Sequence, residues 1–446
     1  QPANDSELPV GAGLGPAALI LRKQMLNRTP IRQLFNSERL VGLMAARGID
    51  GVVASSHQNL YYMSSLNAVA QKSDEPRPFA VVFSRHAPEA PILVLPEYYM
   101  GAMARQDSWI EDIRPYRSMI SPLDRPASGA DLEAFVPQSA DNLGWTDGAR
   151  DHYAETMIES LEKALADLGL TGKRIAFDDA RLGLRVSDSA SDIADGFGLL
   201  MSARSVKTPF EIEMLRTSTA INQAAIEATI GQWGPGMTWH DLNHAYNVAA
   251  VQKGGFVHDP GALVLASPRG ADPAVAFTSE FDDFEIEPGM RIMFDCHGTK
   301  DLYCWDGGKT WIVDGQPEDA STPAARGTKA AMEEIHAALK PGATVSALQQ
   351  IGRAAYAKSG LSTPEACLIF FHGLGLSHLD QEIGGEVEGS ATGDWALQDQ
   401  MVIAMHLLVP GGATDRFWRE DIAIVTPAGA DRVFTWEIDP HVGQTE

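Results

Sequence analysis

Apolar and polar positions in the first half of the chain alternate in blocks that predict helices and strands in turn. SERLVGLMAARGID, which starts at Ser37, has the spacing of an amphipathic helix that ends at Gly48. The runs GVVASS, FAVVFS and APILVLP are short and apolar, as buried strands are. The alternation predicts an α/β domain over residues 31–203, preceded by an arm, 1–30. Residues 120–150 lack the pattern and are expected to form a loop insertion.

The pattern changes near Arg204, where a long helical segment begins. Thr208 and Pro209 followed by Glu211 are a typical helix start, because proline fits the first turn and an acidic side chain interacts favourably with the positive end of a helix. We therefore place a domain boundary here and assign residues 204–446 to a second domain.

The second domain contains an internal repeat. PGMTWHDLNHAYNVAAVQKGG begins at Pro235 and PGATVSALQQIGRAAYAKSG begins at Pro341, and each predicts a turn, a threonine cap and a helix closed by glycine. Two strand patterns repeat downstream, since MRIMFD ends at Asp295 and MVIAMH ends at His406. A duplicated helix-and-strand unit predicts an α+β domain whose halves are related by an approximate twofold, with both strands directed at one central site.

Composition narrows the classes of function. The 446 residues include 35 basic and 59 acidic ones, a formal net charge of −24, so no basic surface is expected for nucleic acid or for an anionic membrane. No apolar run approaches the roughly 20 residues of a membrane-spanning helix. Three cysteines without a CxxC pair indicate buried thiols in a reducing compartment such as the cytoplasm. They would suit the periplasm equally if an export signal had been removed before Gln1.

Two aspartates of the second domain each follow an apolar run. Asp295 ends RIMFD, and Asp306 is expected to lie across a hairpin from it, with the turn around Thr299-Lys300. A buried carboxylate must be paired or bound to a cation, so two such carboxylates close together indicate a cation site.

Three further residues have the chemistry of metal ligands. His406 ends the repeated strand, and Glu420 is expected opposite it across a hairpin that turns at VPGGAT. His372 lies in FFHGLGLSH, where flanking glycines allow close approach of the backbone. Any one of these residues is more simply explained as a satisfied buried group. Together with the two aspartates, in a duplicated scaffold, they predict a centre of two metal ions about 3.5–4 Å apart.

These motifs resemble those of the pita-bread metallopeptidase superfamily, which includes methionine aminopeptidase, aminopeptidase P, prolidase and creatinase. MFDCHG, WDGGKTW, HGLGL and REDIAIVT match the family's two Asp, its His and its last bridging Glu at Asp295, Asp306, His372 and Glu420. SERLVGLMAARGIDGVVASSHQNLYYMS is similar to the amino-terminal domain of the creatinase and prolidase branch. The resemblance implies a creatinase-like first domain, a pita-bread second domain, a dinuclear metal centre and a homodimer.

Three positions depart from the family pattern. The fourth ligand, a Glu in the family, is His406 here. Peptidase members carry a His upstream of the first Asp, where AFTSE (276–280) has none, and another at the position of Leu379, where His378 stands one residue short. Since those histidines polarise and protonate around the scissile peptide, the departures argue against ordinary Xaa-Pro peptidase activity.

Dimethylsulfoniopropionate lyases built on this scaffold show similar shifts. They carry an acidic base at the position of His378 and an extra acidic ligand at the position of His297. His297 shares a strand face with Asp295 by the period of two, so it is either a sixth ligand or a histidine that orients Asp295.

The imidazole of His406 changes the expected metal. Protein ligands would contribute three negative charges instead of four, and imidazole suits zinc, iron, cobalt and nickel better than manganese. We expect one or two divalent transition ions, Zn, Fe, Co or Mn, with zinc or iron favoured, and a more acidic metal-bound water.

The residues and the resemblance together predict a metal-dependent hydrolase. A metal-activated water would attack a carbonyl or amidine-like carbon of a small substrate, with Glu420 or His378 moving the proton. Short peptides with proline near the amino end and small non-peptide molecules are both open as substrates. An elimination with His378 or Asp380 as the base is a second hypothesis, and a non-catalytic binding module with this fold is a third.

One histidine pair is expected to have no such role. His240 and His244 resemble the two zinc ligands of an HExxH helix, but Asp241 stands where that motif has Glu. The repeat places Ser346 and Gln350 at the equivalent positions, which predicts the solvated face of an outer helix.

Overall fold

The computed structural model describes most of both predicted domains. The described residues are 34–68, 79–104, 108–118, 120–140, 143–257, 263–273, 282–360, 366–381 and 393–443. The predicted arm, 1–30, and the AFTSE segment, 276–280, lie outside the described residues.

The first domain is built on a six-stranded mixed sheet. Its strands are β1 (Gly51–Ala54), β2 (Ala80–Ser84), β3 (Ala87–Pro96), β4 (Asp112–Tyr116), β5 (Lys173–Phe177) and β6 (Ala190–Asp195). They lie in the order β4-β3-β2-β1-β5-β6, with β1 antiparallel to β2 and parallel to β5. Val52 and Val53 pack into different apolar clusters, so both faces of the sheet are covered. The predicted α/β domain is confirmed.

Eight α-helices lie in the described part of the first domain. They are α1 (Ser37–Ala46), α2 (His57–Ser64), α3 (Met100–Met103), α4 (Gly129–Glu133), α5 (Trp145–Asp151), α6 (Met157–Asp167), α7 (Ala180–Arg185) and α8 (Gly196–Ser205). Asn36 caps α1, and the turn after it closes at Gly48 with φ 65°. The expected loop over 120–150 is wrong, because α4 lies within it and α5 begins within it. Both helices are too short to show a helical period in the sequence.

The second domain contains two helix pairs and two four-stranded sheets. Its helices are α9 (Pro209–Gln232), α10 (Trp239–Gln252), α11 (Pro323–Ala338) and α12 (Val345–Ala357). Thr208 and Glu211 cap each other reciprocally at the start of α9, as predicted. None of the described helices in either domain has the length and apolarity needed to cross a membrane.

The strands of the second domain form the two sheets and a smaller one. They are β7 (Phe256–Val257), β8 (Leu263–Leu265), β9 (Arg291–Asp295), β10 (Gly298–Lys300), β11 (Tyr303–Trp305), β12 (Thr310–Ile312), β13 (Leu368–Gly373), β14 (Val402–Val409), β15 (Phe417–Thr426), β16 (Gly429–Arg432) and β17 (His441–Val442). The sheet orders are β17-β12-β9-β8, β13-β14-β15-β16 and β11-β10-β7.

The predicted internal repeat is visible in matching contacts. Thr238 caps α10 and Thr344 caps α12, each through its side chain. Each threonine also forms an isolated β-bridge to the segment before the repeated strand of its half, Thr238 with Glu285 before β9 and Thr344 with Ala396 before β14. The two halves therefore share one construction, and the predicted pseudo-twofold α+β domain is confirmed.

The two halves meet edge to edge between β12 and β15. Lys309 forms a β-bridge with Arg419, and the backbone N–H of Glu420 donates to the carbonyl of Gly308 over 2.9 Å. This contact brings the segment between β11 and β12 in the first half against β15 in the second.

One predicted hairpin is displaced and the other is confirmed. Thr299 and Lys300 are paired strand residues, and the turn lies instead at Asp301 and Leu302, with φ 49° and 68°. Positive φ at both central positions is typical of a type I′ hairpin turn, and no Asn-Gly or Asp-Gly pair marks it in this sequence. The second hairpin joins β14 to β15.

Candidate metal centre

Four of the five predicted ligands converge at the junction of the two halves. One ligand atom from each of Asp306, His372, His406 and Glu420 lies within 4.8 Å of all the others, and all four residues are buried. The second half contributes three of them and the first half contributes Asp306. The predicted meeting of both halves at one site is therefore seen in the structure.

Strand register explains why three of these side chains share a face. His406 on β14 lies directly opposite Glu420 on β15. His372 on β13 pairs with Ala404, two residues before His406, so alternation puts both histidines on the same side of the sheet. The two imidazole centroids are 4.8 Å apart.

A second group shares Asp306 with the first. His297 Nε2 lies 2.9 Å from Asp306 Oδ1, and His378 Nε2 lies 2.7 Å from Asp306 Oδ2. One ligand atom from each of these three residues also lies within 4.8 Å of the others. Asp295, the fifth predicted ligand, is 3.3 Å from His297 Nε2. A carboxylate with imidazoles on both of its oxygens has the position of a bridging ligand.

Unpaired buried oxygens indicate that this donor set fits a divalent cation. Asp306 Oδ1 and both carboxylate oxygens of Glu420 have no aligned hydrogen-bond donor among the described residues. His406 Nε2 nevertheless lies 3.0 Å from Glu420 Oε1. Nitrogen and oxygen atoms that crowd together without forming hydrogen bonds are arranged as ligands around a common centre, and a cation there would offset the cost of burying the carboxylates.

The pKa shifts at the site also indicate that the donor set fits a divalent cation. Burial, followed by the charges of Asp306 and Asp295, raises the pKa of Glu420 well above its usual range. Without a cation, ionisation of Glu420 beside these two carboxylates is therefore unfavourable. Burial, with His372 second, lowers the pKa of His406 to about 3. His406 is therefore neutral at pH 7 and has a nitrogen lone pair available for a metal.

The opposite shift is found at His297. Burial alone would lower its pKa, but its contacts with Asp295 and Asp306 raise the pKa to about 10. Burial likewise opposes ionisation of Asp306, yet the neighbouring imidazoles hold its pKa well below the usual range. In the absence of a metal, His297 carries the compensating positive charge of this group.

Comparisons with known proteins agree with this geometry. Residues 213–427 match metallopeptidase family M24, and residues 37–197 match the creatinase/prolidase N-terminal domain. The second domain is a member of metallopeptidase family M24. The expected fold class and the expected hydrolase of this superfamily are confirmed at the level of the family. The predicted boundary near Arg204 falls between the two matched ranges.

Solved structures show the same fold at low sequence identity. The prolidase from Pyrococcus horikoshii OT3 is 18% identical, with a TM-score of 0.62 over 90% of this chain and 98% of that chain. The Xaa-Pro dipeptidase from Bacillus anthracis is 17% identical, with a TM-score of 0.65 over 91% and 99%. The X-Pro aminopeptidase from Thermotoga maritima MSB8 is 19% identical, with a TM-score of 0.59 over 92% and 99%. No curated protein sequence matches the chain significantly.

Two features of the M24 domain that support the ligands were not predicted. Gly307 has φ 85°, and a Cβ there would lie 2.6 Å from the carboxylate carbon of Glu420, so only glycine allows this approach. Asn222, buried in α9, donates through Nδ2 to the carbonyls of Gly307 and Asp306 over 2.9 and 3.3 Å. The sequence offered one signal for Asn222, a side-chain amide on the apolar face of a long predicted helix, because a buried amide needs hydrogen-bond partners.

Asp380 lies outside both ligand groups, which departs from its expected use as a base. It is buried, and its Oδ1 accepts from Arg204 Nε over 3.0 Å while its Oδ2 accepts from the backbone N–H of Leu376 over 3.1 Å. Both carboxylate oxygens are thus engaged in holding the loop that carries His378. The glycines beside His372 serve the same loop, because a Cβ at Gly373 would collide with the backbone of Asp380.

The HExxH-like pair has the predicted surface position. His240 and His244 are exposed on α10 of the M24 domain. The backbone N–H of His240 donates to Asp283 over 3.0 Å, and neither histidine belongs to a metal-ligand group among the described residues.

Proposed function

We propose that this chain is a metal-dependent hydrolase that cleaves a C–N bond of a short peptide or amide-like substrate. The observation that carries the proposal is the set of buried, unpaired carboxylate oxygens crowded against imidazoles where the two halves meet. Structural relatives bear the names prolidase, Xaa-Pro dipeptidase and X-Pro aminopeptidase. Peptides with proline in the second position are therefore the first substrates to test.

The two ligand groups suggest how two ions would be held. Asp306, His372, His406 and Glu420 would hold one ion, and His297 with Asp295 and the shared Asp306 would hold the other. Zinc or iron suits this imidazole-rich set best. Divalent ions bound here would activate a water molecule and polarise the carbonyl of the substrate.

His378 is the residue best placed to move a proton. Its side chain is 38% exposed, whereas Asp306, His372 and Glu420 are almost fully enclosed. Its Nε2 contacts Asp306 Oδ2, which orients the ring toward the centre. We assign His378 to proton transfer at the open side and Glu420 to accepting a proton at the closed side.

The same exposure of His378 favours elimination as the second candidate function. A histidine at the open side of the centre, with Leu379 rather than a second histidine beyond it, could remove a proton from the carbon skeleton of a substrate. Both enzyme functions require the metal, and they differ in the fate of solvent oxygen.

One experiment separates these alternatives. The pure protein is analysed for metal, reconstituted with zinc or iron, and assayed with Xaa-Pro dipeptides and simple amides in water labelled with heavy oxygen. Hydrolysis predicts one labelled oxygen in the carboxylate product, and elimination predicts an unsaturated product without label. A protein that neither takes up metal nor loses activity on chelation would contradict both and favour a binding module. A homodimer, implied by the resemblance, is tested on the same sample by sedimentation.

A further inference from the structure

A buried tyrosine of the M24 domain contacts three residues behind the candidate metal centre. Tyr246 lies on α10 and is 0% exposed. Its hydroxyl accepts from Trp305 Nε1 over 3.0 Å and donates to Asn222 Oδ1 over 2.7 Å. The thiol of Cys296 also lies against this hydroxyl. One hydroxyl therefore connects two helices, α9 and α10, to the ends of β9 and β11.

Two of these contacts are with neighbours of site residues in the chain. Trp305 precedes Asp306, and Cys296 lies between Asp295 and His297. Neighbouring side chains of an extended segment point to opposite sides. The indole of Trp305 and the thiol of Cys296 therefore lie behind the segments whose adjacent side chains form the ligand groups, and both belong to the buried apolar cluster of Tyr246.

The hydrogen bonds of this group can run in one direction only. Trp305 Nε1 is a donor without an acceptor lone pair, so the hydroxyl of Tyr246 accepts from it and gives its single proton to Asn222 Oδ1. The amide is thereby oriented with Nδ2 toward the carbonyls of Gly307 and Asp306, at 2.9 and 3.3 Å. Burial raises the pKa of Tyr246 well above its usual value, so the hydroxyl keeps this proton at neutral pH.

The segment that receives the amide has little else to hold its conformation. Gly307 and Gly308 have φ 85° and 150°, and two successive glycines give the backbone wide conformational freedom. The carbonyl of Gly307 accepts from Asn222 and from the backbone N–H of Cys296 over 3.3 Å. The carbonyl of Gly308 accepts from the backbone N–H of Glu420 over 2.9 Å. A shift of this segment would therefore displace ligands of both halves.

We propose that Tyr246 is a positioning residue of the metal centre, which acts through Asn222 and Trp305 on the segment that carries Asp306. The inference rests on the proposed function, since it takes Asp306 as a ligand of the ions. The hydroxyl sets the geometry of the ligands without touching an ion. Loss of a hydrogen bond behind a ligand commonly weakens metal binding by about 10-fold to 100-fold.

The test changes one oxygen atom. Tyr246→Phe removes the hydroxyl and keeps the ring, and the metal-free variant is expected to unfold cooperatively, as the unaltered protein does. Zinc alone is titrated into each metal-free protein in competition with a chelating dye. We expect zinc to bind the variant about tenfold more weakly or worse, and the visible absorption bands of bound cobalt to shift, because they report ligand geometry. A tyrosine that only stabilised the fold would leave both readouts unchanged.

A second variant tests the route of the effect. Asn222→Ser removes the amide that Tyr246 orients, and it is expected to weaken zinc binding to a similar degree. Combining it with Tyr246→Phe is expected to add little, because both changes break the same chain of hydrogen bonds. Losses of affinity that multiply in the double variant would contradict action through Asn222.

The control is Tyr356→Phe, which alters a buried tyrosine on α12, the equivalent helix of the second half. It is expected to bind zinc as the unaltered protein does. Unaltered zinc affinity and cobalt bands in folded Tyr246→Phe would overturn this inference alone. An unaltered protein that takes up no zinc would overturn the inference and the proposed function together, and the titration of that protein, done first, identifies the case.

Discussion

At the scale of single residues, the centre is organised by Asp306. Its oxygens face His372 of the first ligand group and His297 and His378 of the second, and it is wholly buried. A carboxylate so placed is tolerable only with compensating positive charge. The neutral His406 supplies none, so the balance of charge at the site depends on the ions and on His297.

His406→Glu is expected to move the metal preference toward manganese. The change adds a fourth carboxylate to the ligands, and oxygen ligands suit manganese better than imidazole does. The measurement is the metal content after reconstitution from an equimolar mixture of zinc, iron and manganese. His244→Gln, an exposed histidine far from the ligands, is the matched control. An unchanged metal ratio in His406→Glu would contradict the assignment of His406 as a ligand.

At the scale of elements, the loop after β13 is held by an ion pair with Arg204. The sequence placed the domain boundary at this residue, and the structure places it in α8, the last helix of the first domain. Arg204 of α8 donates to Asp380 Oδ1, to Ser377 Oγ over 2.9 Å, and to Asn59 of α2. Ser377 and Asp380 flank His378. The first domain thus sets where the loop of the M24 domain can place its histidine.

Arg204→Met combined with Asp380→Leu is expected to keep stability and metal while lowering kcat by about tenfold, with KM little changed. Single substitution would leave an unpaired buried ion at a cost of about 3–5 kcal/mol. The double change removes both charges of the pair, and the buried Lys207, whose Nζ lies 4.0 Å from Asp380 Oδ2, is left with Glu211 as its acidic neighbour. Thermal unfolding, metal content and steady-state kinetics are measured together. Arg216→Gln with Asp431→Asn, an exposed pair, is the control. Full kcat in the double variant would show that the loop holds His378 without Arg204.

The buried side chain of Lys309 binds the segment that leads into the carboxyl-terminal strand β17. Lys309 Nζ donates to the carbonyls of Glu437 and Asp439 over 2.7 Å each. Burial, with Arg419 second, lowers the pKa of Lys309 to about 7 from 10.5.

Lys309 makes stability rise with pH. The folded state releases its proton near pH 7 and the unfolded state near 10.5, so between these values the unfolded state binds more protons and the free energy of unfolding increases with pH. Lys309→Met is expected to show a smaller rise between pH 7 and pH 10 in denaturant titrations. Lys358→Met, an exposed lysine, is the control. Parallel pH profiles for Lys309→Met and the unaltered protein would refute this account.

At the scale of the whole molecule, the ions would add a link between the two halves, whose strands meet edge to edge. Metal that binds only the folded state stabilises it by about 4 kcal/mol at a free concentration a thousand times its Kd. We expect a chelator to lower the melting temperature of the metal-loaded protein, measured by calorimetry. Glu420→Gln should melt alike with and without chelator, since it removes the charge of one of the four ligands. No effect of chelation on a protein shown to hold metal would contradict a centre at this junction.

Most of the architecture could be predicted because it leaves periodic or repeated marks in the chain. The helix at Ser37, the capped start of α9 and the duplicated units each depend on neighbouring residues or on a copied segment. The turn at Asp301 and Leu302 could not be predicted, because the positive φ values there have no glycine to mark them. The short helices α4 and α5 could not be predicted because 5 and 7 residues are too few to show a helical period.

The sequence by itself determined which residues could be ligands, since a carboxylate after an apolar run and a copied strand end are properties of one segment at a time. Only the tertiary structure decided their partners. It placed Asp306 between two imidazole groups, committed Asp380 to Arg204 and set Phe370 against His406. These pairings depend on strand register and on contacts between distant segments, and neither hydrophobic periodicity nor residue type specifies them.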